Sequence, residues 1–200
     1  MRLPKSFYAR SSAEVARDLI GMVVVRKLNG ERLAGKIVET EAYMGPHDLA
    51  CHASKGRTRR TEVMFGPPGY AYVFMIYGVY NCLNAVTERK GYAAAVLIRA
   101  IEPIDGVECM RRLRPRADRD VDVGSGPGKL CQAMAIDRSL NAANLAGPDI
   151  WIEDRRLDPG RIAVSPRIGV DYAGEFTDKP WRFFAAGNPH VSRHRLNSGR

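Results

Sequence analysis

The chain has no long apolar run: within its 200 residues, the apolar stretch around Val73 to Ile76 is broken at once by Tyr77-Gly78, short of the ~18 apolar residues a membrane span needs. A membrane is therefore not expected among its partners. Cysteine is scarce, and the four present, Cys51, Cys82, Cys109 and Cys131, stand too far apart for the paired spacing of a zinc or redox motif. With no secretory leader before them, a reducing cytoplasm is the expected setting, with nucleoid association if the source is bacterial. Acidic residues are in the minority, 22 against 31 Lys and Arg, which leaves a formal net charge of +9. That balance suits an anionic partner, nucleic acid first among them, although many basic proteins have none. No internal repeat or second domain is visible.

What is present suffices for one core. Hydrophobic residues make up 45% of the chain, and the length fits a single domain, expected over 1–200 with an ordered core of about 5–192. Ser11-Ser12-Ala13-Glu14 has the spacing of a capping box, and Val15, Leu19 and Ile20 follow at helical intervals before Gly21. Met22 to Leu28 and Leu33 to Tyr43 read as strands around Asn29-Gly30, a dipeptide that readily takes the positive φ angles of a tight hairpin. Gly45 to Gly69, with Pro46, Pro67 and Pro68 and the cations Lys55, Arg57, Arg59 and Arg60, reads as a long irregular loop of the kind that often carries function. Ala71 to Val86 suggests two strands meeting at a Tyr77-Gly78 tip, and Ala93 to Ala100 another, largely buried. Helices are expected from Asp105 to Arg114 and from Pro127 through Met134, with a mobile charged connection over 114–122. Ile150 to Glu153, Arg161 to Val170 and Trp181 to Ala185 complete the strands. Strands clustered in hairpins predict an α+β domain with a curved, mainly antiparallel sheet, flanking helices and a protruding β-hairpin.

On the strand ending at Tyr43, period-two alternation sends Ile37, Glu39, Glu41 and Tyr43 to one face and Val38, Thr40 and Ala42 to the other. Two carboxylates roughly 7 Å apart lie in the range of pairs that hydrolyse glycosidic bonds. Glu39 is as readily a structural ion-pair partner. Glu41 has more company, since Tyr43, His52, Tyr72, Phe74, Tyr77 and Tyr80 stand near it in sequence. Base–aromatic stacking contributes ~1–3 kcal/mol per base, so rings around a carboxylate suit an extruded nucleobase, while core packing remains the alternative for Tyr72 and Tyr80. Gly124 to Lys129 lacks the spacing of a nucleotide-binding phosphate loop, though its backbone amides suit contact with a DNA phosphate.

The strings Val38-Glu39-Thr40-Glu41-Ala42-Tyr43-Met44-Gly45-Pro46, Met64-Phe65-Gly66-Pro67-Pro68-Gly69 and Tyr72-Val73-Phe74-Met75-Ile76-Tyr77-Gly78 resemble the alkyladenine (3-methyladenine, methylpurine) DNA glycosylase family. The likeness continues through Leu97-Ile98-Arg99-Ala100-Ile101-Glu102-Pro103, Gly124 to Ala133 and Arg167-Ile168-Gly169-Val170 to Ser192, covering nearly the whole chain in order. It implies a single mixed domain whose hairpin enters the minor groove of double-stranded DNA containing damaged purines, acting as a monomer with no metal and no redox cofactor. Residue by residue, Glu41 matches the general base that deprotonates the attacking water, and Arg99 with the carbonyl of Val191 matches the groups that hold that water. Tyr43, His52 and Phe74 match the residues around the flipped base, with His52 also placed to hydrogen-bond it. Asn84 matches the residue that crowds the amino group of normal guanine, and Tyr77 the wedge that fills the vacated stack. Arg57, Arg59, Arg60 and Lys129 are the expected contacts to the DNA backbone. Phe74 stands where the family commonly has tyrosine, so one hydroxyl is absent and no lesion range is transferred.

Two other readings stay open at the level of sequence: a non-catalytic basic module that binds nucleic acid, and a carbohydrate hydrolase using Glu39 with Glu41. A lyase would need a desolvated lysine as nucleophile. Lys36 lies on the strand face away from Glu41 and nothing marks Lys129 as desolvated, so a monofunctional hydrolase is expected.

Overall fold

The computed structural model describes residues 1–197. Two short helices, α1 (Lys5–Tyr8) and α2 (Ser12–Asp18), precede the hairpin of β1 (Val23–Leu28) and β2 (Glu31–Tyr43). Asn29 and Gly30 take φ of 49° and 87°, as a tight two-residue hairpin turn requires. The long loop then carries two 3-10 turns, His52–Lys55 and Glu62–Phe65, before β3 (Ala71–Ile76), β4 (Tyr80–Thr87) and β5 (Ala94–Asp105). Helices α3 (Val107–Leu113), α4 (Asp120–Val123) and α5 (Pro127–Ala133) follow, and β6 (Ile150–Glu153), β7 (Ile162–Ser165) and β8 (Arg182–Ala185) finish the sheet.

The fold is α+β. Eight strands make one open antiparallel sheet in the order β3-β4-β5-β2-β1-β6, with β8 pairing with the upper part of β2 and with β7. Because β2 bonds to β1, β5 and β8 along its 13 residues, its side chains are buried through the middle. Val24, Leu33, Ile98 and Ile101 from the sheet pack with Val15 and Leu19 from the α2 region, Met110 from α3 and Leu130 from α5, each such side chain contributing about 1.5–3 kcal/mol on burial. Thr40 turns to α2, its hydroxyl donating to the Ala16 carbonyl at 2.7 Å.

Several details differ from expectation, although α2 starts after Ser11 as the capping-box spacing predicts. Ser11 makes no side-chain cap; instead the Glu88 carboxylate accepts from the Ser12 N–H at 3.3 Å, and the Ser12 hydroxyl meets that of Thr87 at 2.6 Å. Alternation along β2 is interrupted by register shifts between Ile37 and Thr40. Ile37 therefore joins Val38 and Ala42 in the main core and does not share the carboxylates' surroundings. Strand β5 runs on to Asp105, pairing with β2, so that α3 begins only at Val107 after Gly106 in the left-handed region. The charged connection holds α4, whose first turn carries Asp120 and Asp122, acids that favour a helix start. Strand β7 stops at Ser165 because Pro166 has no N–H for the ladder, which leaves 166–170 as a loop.

Candidate active site

The upper end of β2, the long loop, the β3–β4 hairpin and the loop after β7 enclose a cavity of about 580 Å³, a size suited to a small ligand. Tyr43, His52, Phe74, Asn84 and Arg99 all line it. Glu41 lies just behind its wall, wholly buried, and three groups bond its carboxylate. The Ile168 N–H donates to Oε1 at 2.7 Å, Arg99 Nη1 stands 3.3 Å from the same oxygen, and the Tyr43 hydroxyl donates to Oε2 at 3.0 Å. The Arg99 contact is an ion pair and the other two are hydrogen bonds, so a carboxylate with about four lone-pair sites keeps capacity for a further hydrogen.

Glu39 has no such capacity. Its Oε1 accepts from Arg99 Nε at 2.9 Å, Arg182 Nε at 2.7 Å and the Ser192 hydroxyl at 2.9 Å, and its Oε2 from the Ser192 N–H at 2.9 Å. Burial alone raises such a carboxyl, but Arg99, Arg182 and Ser192 overcome it and hold Glu39 below its ordinary value. Arg99 thus bridges the two acids: Glu39 fixes its Nε, and its outer nitrogen is presented to Glu41. Val191 is buried, one residue from the Ser192 anchor and on the Glu39 side of this network.

Tyr43 is held from behind. The Arg167 guanidinium stacks 4.8 Å over its ring and 4.9 Å over that of Trp181, while making a buried pair with Asp48 at 2.6 and 2.9 Å. Asp48 in turn accepts from the Met44 and Ala50 N–H groups. Burial, and then the Glu41 carboxylate, raise the Tyr43 hydroxyl well above its ordinary value, so it stays a proton donor. Across the cavity, His52 packs edge-on to Phe74 at 4.5 Å and its Nδ1 shares a 3.0 Å hydrogen bond with the Tyr72 hydroxyl. Burial, with Arg60 and Lys55 adding to it, lowers His52 to about 4, so it is neutral at physiological pH. Asn84 is anchored through its Nδ2, which donates to the Tyr72 carbonyl at 3.0 Å.

The hairpin tip projects beside this cavity. Tyr77 is 87% exposed and lies with Gly78 in the left-handed region, at φ of 52° and 70°, in a turn closed by the Val79 N–H onto the Ile76 carbonyl. A bulky residue held there is strained, and such strain gathers at functional positions. The expected backbone contacts scatter. Arg57 is bound by both oxygens of Glu62, Arg59 is exposed, Arg60 sits 5.0 Å over the Phe74 ring and lines the cavity, and Lys129 lines a separate hollow. Among the described residues no lysine lines the cavity, and no three His, Cys, Asp or Glu side chains converge as a metal site requires.

Sequence reasoning missed the Ile168 amide, the Arg167–Asp48 clamp and Tyr172, which is 71% exposed at the cavity mouth. The Pro166 break was the available signal for the first, since it ends the strand and frees the following amides from the ladder to meet a side-chain carboxylate. Nothing local marks Arg167 as the partner of Asp48, which is 119 residues away.

Comparison with known proteins adds an independent line. The methylpurine-DNA glycosylase family matches residues 6–189. A relative from Methanocella arvoryzae is 57% identical over 192 residues, spanning 96% of each chain, and one from Alkaliphilus oremlandii is 48% identical over 96% of this chain and 100% of its own. A third, from Legionella pneumophila, is 47% identical over 96% of this chain and 98% of its own. All three are assigned, provisionally, as 3-methyladenine DNA glycosylases.

Proposed function

Because the chain belongs to the methylpurine-DNA glycosylase family, we propose that it flips an alkylated or deaminated purine out of duplex DNA and hydrolyses its bond to the sugar with water activated by Glu41, leaving an abasic site. The observation that carries this reading is the Glu41 carboxylate, gripped by three donors with room for one more hydrogen, directly behind an aromatic cavity. Fixed donors on both oxygens leave the carboxylate one orientation, so a water bound to it is aimed rather than merely held.

The flipped base lies between Tyr43 on one side and His52 and Phe74 on the other. Neutral His52 has a ring nitrogen available to the base edge, the other being bonded to Tyr72. The fixed amide of Asn84 narrows the space for the exocyclic amino group of an undamaged guanine. Tyr77 fills the gap in the stack; inserting it costs a few kcal/mol of unstacking and blocks the return path. Alkylated purines are already good leaving groups, so the protein's task is to orient water and stabilise a cationic sugar, for which a nearby carboxylate is suited. Arg99 and the Val191 carbonyl would complete the hold on the water. The bound ring of Phe74 stacks like a tyrosine without its hydroxyl. With no lysine on the described cavity wall to form a Schiff base, the reaction stops at base release.

Incubation of duplexes bearing hypoxanthine, ethenoadenine or 3-methyladenine, followed by alkaline cleavage, tests the reading. Glu41→Gln should lose roughly 10²–10⁴-fold in base release while still binding lesion DNA. Retained release in that variant would sink the role of Glu41, and a borohydride-trapped protein–DNA adduct would sink the monofunctional assignment.

A further inference from the structure

The cavity beside Glu41 carries a charge that the activation of water does not use. Among the described residues, the charged side chains lining it are Arg60 and Arg99. Arg99 is committed to the two glutamates, its Nε 2.9 Å from Glu39 and its Nη1 3.3 Å from Glu41. The buried charges behind the wall balance: Glu39, Glu41 and Asp48 stand against Arg99, Arg182 and Arg167. His52 is neutral at physiological pH. Arg60 stands apart, with no carboxylate within ion-pair distance among the described residues and its guanidinium 5.0 Å over the Phe74 ring. It leaves the cavity with a positive excess.

That charge is felt by the groups a base would meet. After burial, Arg60 is the larger of the two cations that lower His52, and it opposes the burial that raises the Tyr72 hydroxyl to about 12. Tyr72 and His52 share a 3.0 Å hydrogen bond, and both rings pack on Phe74. Arg60, Tyr72, His52 and Phe74 thus form one side of the slot. Arg60 is exposed, so water screens it until a base fills the space beside it. The base displaces that water, and attraction or repulsion between the two strengthens as the local dielectric falls.

Breaking the bond between the sugar C1′ and the purine nitrogen leaves the electron pair on the base, while Glu41 takes one proton of the attacking water and the hydroxyl joins C1′. A purine alkylated on a ring nitrogen starts as a cation and departs neutral. Hypoxanthine or ethenoadenine starts neutral and departs as an anion, which then takes a proton from water. A guanidinium beside the base opposes the first kind in the ground state. It stabilises the second kind most in the transition state, where negative charge develops on the base. We infer that Arg60 is a specificity-determining residue, favouring neutral purine lesions over cationic ones by holding the negative charge that a neutral base carries away. The inference rests on the base-excision reading above, and it moves Arg60 from the backbone contacts expected of its loop to the base itself.

The test measures single-turnover release from duplexes carrying one hypoxanthine or one ethenoadenine, both neutral, or one 7-methylguanine, a cation. Arg60→Met keeps an unbranched stem over Phe74 and removes the charge. It should slow release of the two neutral lesions roughly tenfold relative to 7-methylguanine, less than the ~10²–10³ lost with a buried oxyanion donor because Arg60 is exposed. Arg60→Lys, which keeps the charge, should restore most of the wild-type ratio. In wild type the advantage of neutral lesions should shrink as salt rises, and in Arg60→Met the ratio should stay level, since a charge at the rim is screened by ions. An equal fall for all three lesions, as from a lost phosphate contact or a disturbed loop, overturns the inference. So does an unchanged ratio, or a larger loss with 7-methylguanine. A wild type that releases none of the three bases would instead sink the base-excision reading.

Discussion

At the scale of single residues, two glutamates separated by one threonine do different work because of what donates to them. Glu39 is saturated by two guanidiniums and Ser192, whereas Glu41 keeps capacity open beside the cavity. Glu39→Gln strips the counter-charge from Arg182, which is wholly buried, and breaking a buried pair this way costs about 3–5 kcal/mol. A denaturant midpoint unchanged in that variant would contradict the network described. His52 supplies a pH signature. Its folded pKa, about 4, lies below the ordinary 6.5, so as pH falls the unfolded chain takes up the proton first. Stability associated with His52 should therefore be intact above 6.5 and decline between about 6.5 and 4. The difference in thermal midpoint between wild type and His52→Gln across that range measures it; a constant difference would refute the neutral histidine.

At the scale of elements, the site depends on β2 being held on both edges while irregular enough to turn its acids. Room for the crossing strands comes from absent side chains. Ile101 of β5 lies between Gly35 and Gly124, where added Cβ atoms would fall 2.6 and 2.5 Å from its side chain. Gly35→Ala should cost about 1–3 kcal/mol through overpacking, read as a lowered unfolding midpoint, and an unchanged midpoint would show that Ile101 has space to yield. The hairpins were legible because Asn29-Gly30 and Tyr77-Gly78 punctuate β-rich runs. The start of α2 after Ser11 was legible too, though Glu88 rather than a side-chain cap bonds it, whereas the start of α3 was not, because the β2–β5 pairing, distant in sequence, carries β5 on to Asp105.

At the scale of the whole molecule, the sheet order brings together residues far apart in the chain: Glu41 from β2, Arg99 from β5, His52 from the long loop and Ile168 from the loop after β7. The net charge of +9 is distributed unevenly in effect, since several surface arginines are paired with acids while, among the described residues, Arg60 at the base cavity and Arg114 and Arg116 at the separate hollow have no acid within ion-pair distance. Binding to lesion duplexes should therefore fall steeply with salt, with a log–log slope of about −3 or steeper, three or more phosphate contacts at ~0.9 each. A flat response would count against DNA as the partner.

The sequence by itself determined the α+β class, the two tight hairpins, the face shared by Glu39 and Glu41 and the family to which the chain belongs, because these rest on periodicity, turn chemistry and motif order along one stretch of backbone. Only the tertiary structure decided which glutamate is saturated, that Ile168 offers its amide to Glu41, that Arg167 and Asp48 brace Tyr43, and that Arg60, Arg114 and Arg116 have no acid within ion-pair distance among the described residues. Those outcomes turn on donors and counter-charges supplied from other elements, and no local pattern records which distant partner a buried charge will meet.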